Sequence, residues 1–250
     1  MSMDAAVAAP SPQDRPVCQA HTSAVAVGTC ARCGRFVCES CAGEQSVCPE
    51  CVQRQLGDIP SSATRSRRAT GFLTAHAVVD GLTVLLNLAA LGAGSSALLS
   101  GAEGLVGLAT LVIALGTMIT FLMWLHLAVR QALALEIEVG VTPGWAVGYW
   151  FIPFSNLVRP YRTIRNLLGG LDGEEAVSSA RVGLWWGLWI GGNVLSQIET
   201  RMTISGGLEE QTSSAGHIVG LLSSLLSVGG AILCIGVVRA IQQALDARRS

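Results

Sequence analysis

The chain has 250 residues, half of them hydrophobic and only 13% charged, with a formal net charge of −1. Soluble domains carry about 25% charged residues, so this composition is unlike that of an ordinary soluble globular protein, and a soluble all-α bundle with buried helices is the alternative to a membrane domain. The near-zero balance excludes a global basic field of the kind that gathers nucleic acid.

The charge deficit is local. Residues 1–70 are polar and cysteine-rich, and the apolar runs lie after Gly71. Residues 1–16 lack the basic start and apolar core of a secretory signal and predict a disordered tail. Every basic residue is Arg, and Ala and Gly abound, a composition that points to a bacterial source.

Seven of the eight cysteines fall between Cys18 and Cys51. With one histidine they form four doublets of equal spacing: Cys18/His21, Cys30/Cys33, Cys38/Cys41 and Cys48/Cys51. Two ligands separated by two residues grip one ion from a tight turn, and zinc takes four such ligands in a tetrahedron. Eight ligands therefore predict two closed zinc sites with no position open for catalysis. Thiolates favour zinc over hard cations. A disulfide framework would need an oxidising compartment and would leave His21 without a role. Spacing alone leaves open whether neighbouring or alternate doublets share an ion.

These residues, Cys18-His21, CARC, CESC and CPEC, resemble the B-box type zinc finger over about residues 17–52. The resemblance implies a cross-brace. Cys18, His21, Cys38 and Cys41 would hold one ion, and Cys30, Cys33, Cys48 and Cys51 the other. Cys48 and Cys51 stand where many B-boxes have histidines, so the family's partner specificity does not carry over. The module has few apolar residues, chiefly Val17, Val25, Val27, Phe36, Val37 and Val47. Metal must therefore provide most of its folding free energy, on the order of 10 kcal/mol per site. Three Arg and three Glu between Val17 and Leu56, with seven thiolates, disfavour phosphate. A protein partner fits better than nucleic acid.

Residues 53–71 predict a flexible linker. Arg65, Arg67 and Arg68 at its end predict a cytoplasmic anchor for the first membrane span. A spanning helix needs about 20 largely apolar residues. Four segments of 72–245 qualify: Phe72–Leu91, Leu105–Leu127, Val182–Ile198 and Gly216–Val238. The loop 92–104 has no Arg, whereas the central segment carries Arg130, Arg159, Arg162, Arg165 and Arg181. The positive-inside rule then places both termini and the central segment in the cytoplasm, with membrane lipids around the helices. All six tryptophans fall toward that face and predict an interfacial belt.

Between the second and third spans, residues 144–160 are apolar but short, with Pro153 and Pro160 inside. They predict a re-entrant or interfacial helical segment, followed by an amphipathic stretch to about Leu168. Trp145, Trp150, Pro153, Asn156 and Pro160, with Arg159 beside them, form the pattern W-x4-W-x2-P-x2-N-x3-P. On this pattern, residues 70–245 resemble an uncharacterised bacterial four-span membrane domain. The resemblance implies a fold and no activity. By itself the motif reads as helix breaking, anchoring and backbone satisfaction, or else as a ligand or lipid site.

On the first span His76, Asp80, Thr83 and Asn87 share one helical face. Ionisable groups at such depth are costly and often functional. Gly183, Gly187 and Gly191 predict a close-packing face on the third span, and Gly216, Gly220, Ser223, Ser227 and Ala231 another on the fourth. Catalytic signatures are lacking: there is no zinc-protease helix, nucleophile elbow or phosphate loop. The expected architecture is a small zinc-stabilised cross-brace module on an all-α polytopic membrane domain of four helices. The expected role is a non-enzymatic, membrane-anchored interaction or regulatory adaptor. The alternative is a small-solute or ion transporter or sensor working through His76, Asp80 and Asn87.

Overall fold

The computed structural model describes residues 15–42, 47–94, 96–211 and 214–249, with the side chains of 203–211 left aside. The tail expected over 1–16 lies almost wholly outside these. The chain divides into two compact units, Met1–Pro60 with Ala134–Glu136, and Ser61–Leu133 with Ile137–Ser250.

The first unit is built on turns. Strands β1 (Gly28–Thr29) and β2 (Phe36–Val37) pair antiparallel, with Gly28 opposite Val37 and Thr29 opposite Phe36. An isolated bridge joins Val17 to Val25. Between the strands the chain reverses at Cys30–Gly34, where Gly34 N–H donates to the Cys30 carbonyl at 2.9 Å. Gly34 sits at φ +71°, a left-handed conformation that favours glycine. Helix α1 (Pro49–Gly57) starts directly after Cys48, with proline in its first turn, where no N–H is needed. The buried cluster of this unit is six cysteines and Val37. Val17, Val25, Val27 and Phe36 remain exposed, so among the described residues the apolar burial of this unit beyond its cysteines is small, chiefly Val37, Leu56 and Ile59.

The expected linker differs from what is observed. Residues 53–57 continue α1, and α2 (Ala63–Ala93) begins at Ala63, so only Asp58–Ser62 lies between helices. The polar Gln and Arg residues of this stretch are good helix formers, and low apolarity alone did not make them a loop. Arg65, Arg67 and Arg68 lie inside α2, where Arg65 donates to the Met123 carbonyl at 3.0 Å.

The second unit is helical: α2, α3 (Ala97–Ala134), α4 (Pro143–Gly148), α5 (Arg159–Ser179), α6 (Val182–Gln211) and α7 (Ser214–Ala247). Among the described residues, three helices are long and apolar enough to cross a membrane: α2, α3 and α7. Only 17%, 11% and 28% of their most apolar stretches is buried inside the protein. Leu105, Leu108 and Val112 stand outward on α3. Apolar surface of this extent requires a non-aqueous surround, and it supports a membrane protein. Helix α6 is not among the three; Trp185, Trp186, Trp189, Asn193 and Gln197 dilute its apolar character.

Helix α7 packs along both α2 and α6. Its approach to α6 uses glycines. A Cβ at Gly192 would lie 3.7 Å from the Ser227 backbone, and one at Gly230 3.8 Å from the Trp189 backbone. The glycine face expected on α6 is thus only partly right: a Cβ at Gly183 or Gly187 would meet nothing within 4 Å. The close approach runs through Gly191 and Gly192 instead, because α7 crosses at that height.

The segment 144–160 is not one helix. Thr142 caps the six-residue α4 by accepting from Trp145 N–H at 3.4 Å. Turns and a 3-10 turn (Ser155–Leu157) follow, and Pro160 opens α5 rather than breaking a helix. The single helical segment expected here, re-entrant or interfacial, is replaced by a folded turn, as the proline positions allow. Helix α5 is amphipathic as expected, burying Ile164, Leu167, Leu168 and Leu171, and it kinks at Gly173 (φ +86°).

Candidate metal centre and intramembrane cavity

The four doublets converge in two sets, Cys18/His21/Cys38/Cys41 and Cys30/Cys33/Cys48/Cys51, with the ligand atoms of each set all within 4.8 Å of one another. Alternate doublets meet, not neighbouring ones. The hairpin carries Cys30 and Cys33 away from Cys18 and His21, and α1 brings Cys48 and Cys51 back to them. Two of the doublets close a backbone turn: Cys41 N–H donates to the Cys38 carbonyl and Cys51 N–H to that of Cys48, both at 3.0 Å.

The spacing fits a tetrahedral ion. With Zn–S of about 2.3 Å and Zn–N of about 2.0 Å, two sulfurs stand about 3.8 Å apart and sulfur and nitrogen about 3.5 Å. Cys33 Sγ and Cys48 Sγ are 3.7 Å apart. His21 Nδ1 lies 3.4 Å from Cys38 Sγ and 3.1 Å from Cys41 Sγ. These sulfurs are too far apart to be bonded, and the cysteines are free. Each set could hold a metal ion, and the donors are compatible with two zinc ions. Cys33 and His21 face solvent and the other six ligands are buried.

Electrostatics divides the thiols. The N–H groups of Cys33 and Cys48 bring Cys30 down from the usual 9.0 to about 6. The Ser40 hydroxyl, 3.1 Å from Cys38 Sγ, does the same there, again to about 6. Burial pushes Cys41 up to about 11. Contact with the sulfurs of Cys48 and Cys33 pushes Cys51 up to about 12. His21 is raised by the Cys38 and Cys18 sulfurs. Four crowded donors cannot all ionise alone, and a dication removes that conflict. Arg35 pairs with Glu50 and joins the hairpin to α1.

In the second unit the polar face of α2 lines a partly open cavity of about 970 Å³, bordered by α2, α3, α6, α7 and the turn after α4. Asp80 is buried, accepts from the Ser227 hydroxyl and lies 3.3 Å from His76 Nε2. Asn87 donates from Nδ2 to the Thr83 carbonyl at 2.9 Å, and its Oδ1 lies 3.1 Å from His217 Nδ1 on α7. Glu103 of α3 is 3.9 Å from the same nitrogen. His76, Asp80 and Asn87 therefore share one cavity. Its partners Glu103, Glu199, His217 and Ser227 were not singled out as site residues from the sequence, except Ser227 as a packing residue; an acid or histidine interrupting an apolar run was the available signal.

The motif residues separate. Trp150 packs in an aromatic cluster with Phe121, Trp186 and Trp189, at centroid distances of 5.4, 5.9 and 5.5 Å. Trp150 and Asn156 line the cavity. Trp145 is half exposed and stacks on Tyr149 at 5.2 Å. Arg159 lies over the Tyr149 ring, 5.4 Å from its centroid. Pro160 is buried at the start of α5, and Pro153 lies exposed in the turn. The six-tryptophan belt does not hold as expected: Trp124, Trp185 and Trp186 are buried in the protein. Trp186 donates to the Leu157 carbonyl at 3.0 Å and Trp124 to Gln242 at 3.2 Å. Their indole N–H groups found protein acceptors, which an interfacial position would not require.

No curated protein and no solved structure matches the chain. Residues 87–243 match the family described as Domain of unknown function (DUF4328). The match takes in Asn87, Glu103, the Trp145–Pro160 motif, Glu199 and His217, and leaves out the cysteine module, His76 and Asp80. Since it covers more than half of the chain, from the end of α2 into α7, this protein belongs to the DUF4328 family.

Proposed function

We propose that this is a multi-pass protein of a bacterial cytoplasmic membrane whose B-box-like, two-zinc head binds a cytoplasmic protein, making it an anchored interaction or regulatory adaptor and not an enzyme. The observation that carries the reading is the pair of four-donor sets at the head of a chain whose remainder is apolar helix. Four protein donors per ion leave no open position for a substrate. Thiolates loaded with zinc belong in a reducing compartment, the side to which Arg-rich segments also point. In this reading α6 is the fourth span, with its tryptophans and polar groups facing protein rather than lipid.

The test is in-cell crosslinking with mass spectrometry on the full chain, its Cys30→Ser/Cys33→Ser variant and a chain lacking residues 17–52. Partners captured by the intact protein should be lost from both altered forms. Capture of the same partners without the head removes the adaptor reading.

A second reading has its own support. His76, Asp80 and Asn87 line a cavity large enough for a small ligand, which favours a small-solute transporter or sensor.

A further inference from the structure

We propose that the cavity of the helical unit binds a small organic cation carrying N–H donors, an alkylammonium or guanidinium group. The proposal rests on the solute-site reading and names the chemistry of the solute.

The first argument is charge. Three carboxylates from three helices line the cavity: Asp80 of α2, Glu103 of α3 and Glu199 of α6. Among the described residues its lining includes two histidines and no Arg or Lys, so its formal charge runs from −3 with neutral imidazoles to −1 with both protonated. Arg201, the nearby cation on α6, lines an adjoining pocket of about 320 Å³ that shares Asn156, Trp189 and Asn193 with the cavity. Negative charge within an apolar bundle calls for a positive partner.

The second argument is hydrogen-bond sense. Asn87 Oδ1 can only accept, so His217 Nδ1 donates to it and neutral His217 presents Nε2 as an acceptor. Likewise His76 Nε2 faces the Asp80 carboxylate, leaving Nδ1 as the acceptor. Among the described residues His76 Nδ1, His217 Nε2 and Asn156 Oδ1 are buried acceptors without a hydrogen-bond partner. All three residues line the cavity, and His217 is only 6% exposed. A buried polar atom without a partner is costly, and a ligand rich in N–H groups satisfies all three.

The third argument is shape. Trp150, Trp185 and Trp189 line the same cavity, and indole faces attract organic cations. Among the described residues, three or more metal-ligating side chains converge within 4.8 Å only in the cysteine sets. The carboxylates are therefore dispersed around a space, as an extended cation requires and a bare metal ion does not.

The experiment is calorimetric titration of the full, metal-loaded chain in lipid nanodiscs with three probes of one length: hexane-1,6-diamine, hexane-1,6-diol and hexanedioate. The diamine should bind saturably, the diol about tenfold or more weaker, and the dianion undetectably. Asp80→Asn and Glu103→Gln should each weaken the diamine by about tenfold. Glu103 is partly exposed, so its variant serves if Asp80→Asn does not fold. Diol binding as tight as diamine binding overturns the cation assignment and leaves a solute site standing. Binding of none of the three overturns the solute site as well. Unchanged diamine affinity in both variants, or displacement of the diamine by an equal concentration of magnesium, also overturns the proposal.

Discussion

Gln242 shows what one buried amide does in this protein. Its Oε1 lies 2.8 Å from Ser62 Oγ and 3.2 Å from Trp124 Nε1, and its Nε2 donates to Asp246 at 2.9 Å. Ser62 Oγ also lies 2.7 Å from Gln131 Oε1. The knot ties the start of α2 to α3 and the end of α7, and Ser62, Trp124 and Gln131 are almost fully buried. Gln242→Ala should therefore cost about 1–3 kcal/mol for each group left unsatisfied. Thermal unfolding in detergent, followed by tryptophan fluorescence, should show a transition lower by several degrees. An unshifted transition would mean that water replaces the amide freely. At the head, Cys30 and Cys38 are held near about 6, below the usual thiol value of 9.0. Depressed groups contribute stability that is present above their unfolded pKa and lost as pH falls through the folded one. Cys41 and Cys51, at about 11 and 12, keep their protons at neutral pH until an ion displaces them. Zinc uptake at neutral pH should thus release protons, and acidification should expel zinc as protons compete for the thiolates. A pH indicator and a zinc-binding dye report both, and zinc uptake without proton release would contradict the assignment.

Elements divide by what holds them. Among the described residues, the buried cluster of the hairpin and α1 is six cysteines and Val37, with Leu56 the other buried apolar residue of α1. Exhaustive chelation should unfold the head completely, whereas the helical circular dichroism of α2–α7 should persist. A head that keeps its amide protection after chelation would show another source of stability. The α6–α7 contact, in contrast, depends on backbone approach. Gly230→Leu forces a side chain toward the Trp189 backbone and should cost about 1–3 kcal/mol by overpacking. Gly183→Leu meets open space and should be close to neutral. Equal effects in paired melting curves would deny that contact. The glycine repeat at every fourth residue was readable as a face, but only the crossing height of α7 selected which glycines use it.

At the scale of the molecule, the number of crossings sets where the ends lie. Four spans place both termini on one side, whereas α2, α3 and α7 alone would place them on opposite sides. Membrane-impermeant labelling of single cysteines introduced near residue 10 and after Ala247 should modify neither in intact cells and both after lysis. Labelling of one end in intact cells would exclude α6 as a span.

Composition and spacing alone determined the partition into a thiol-rich head and apolar helices, and the eight Cys and His side chains that converge in two four-donor sets. Both are local properties: two donors three positions apart share a turn, and an apolar run long enough to span needs no partner to be recognised. Asp80 and His76 were legible for the same reason, since their separation fixes a common helix face. Tertiary structure decided the rest. Alternate doublets meet because a hairpin and a helix intervene between them. Trp124 and Trp186 turn inward because Gln242 and Leu157 offer acceptors. Glu103, Glu199 and His217 reach the polar face of α2 from helices far along the chain. Packing between distant helices is set by the combined shapes of many side chains, and residue spacing along one segment does not encode it.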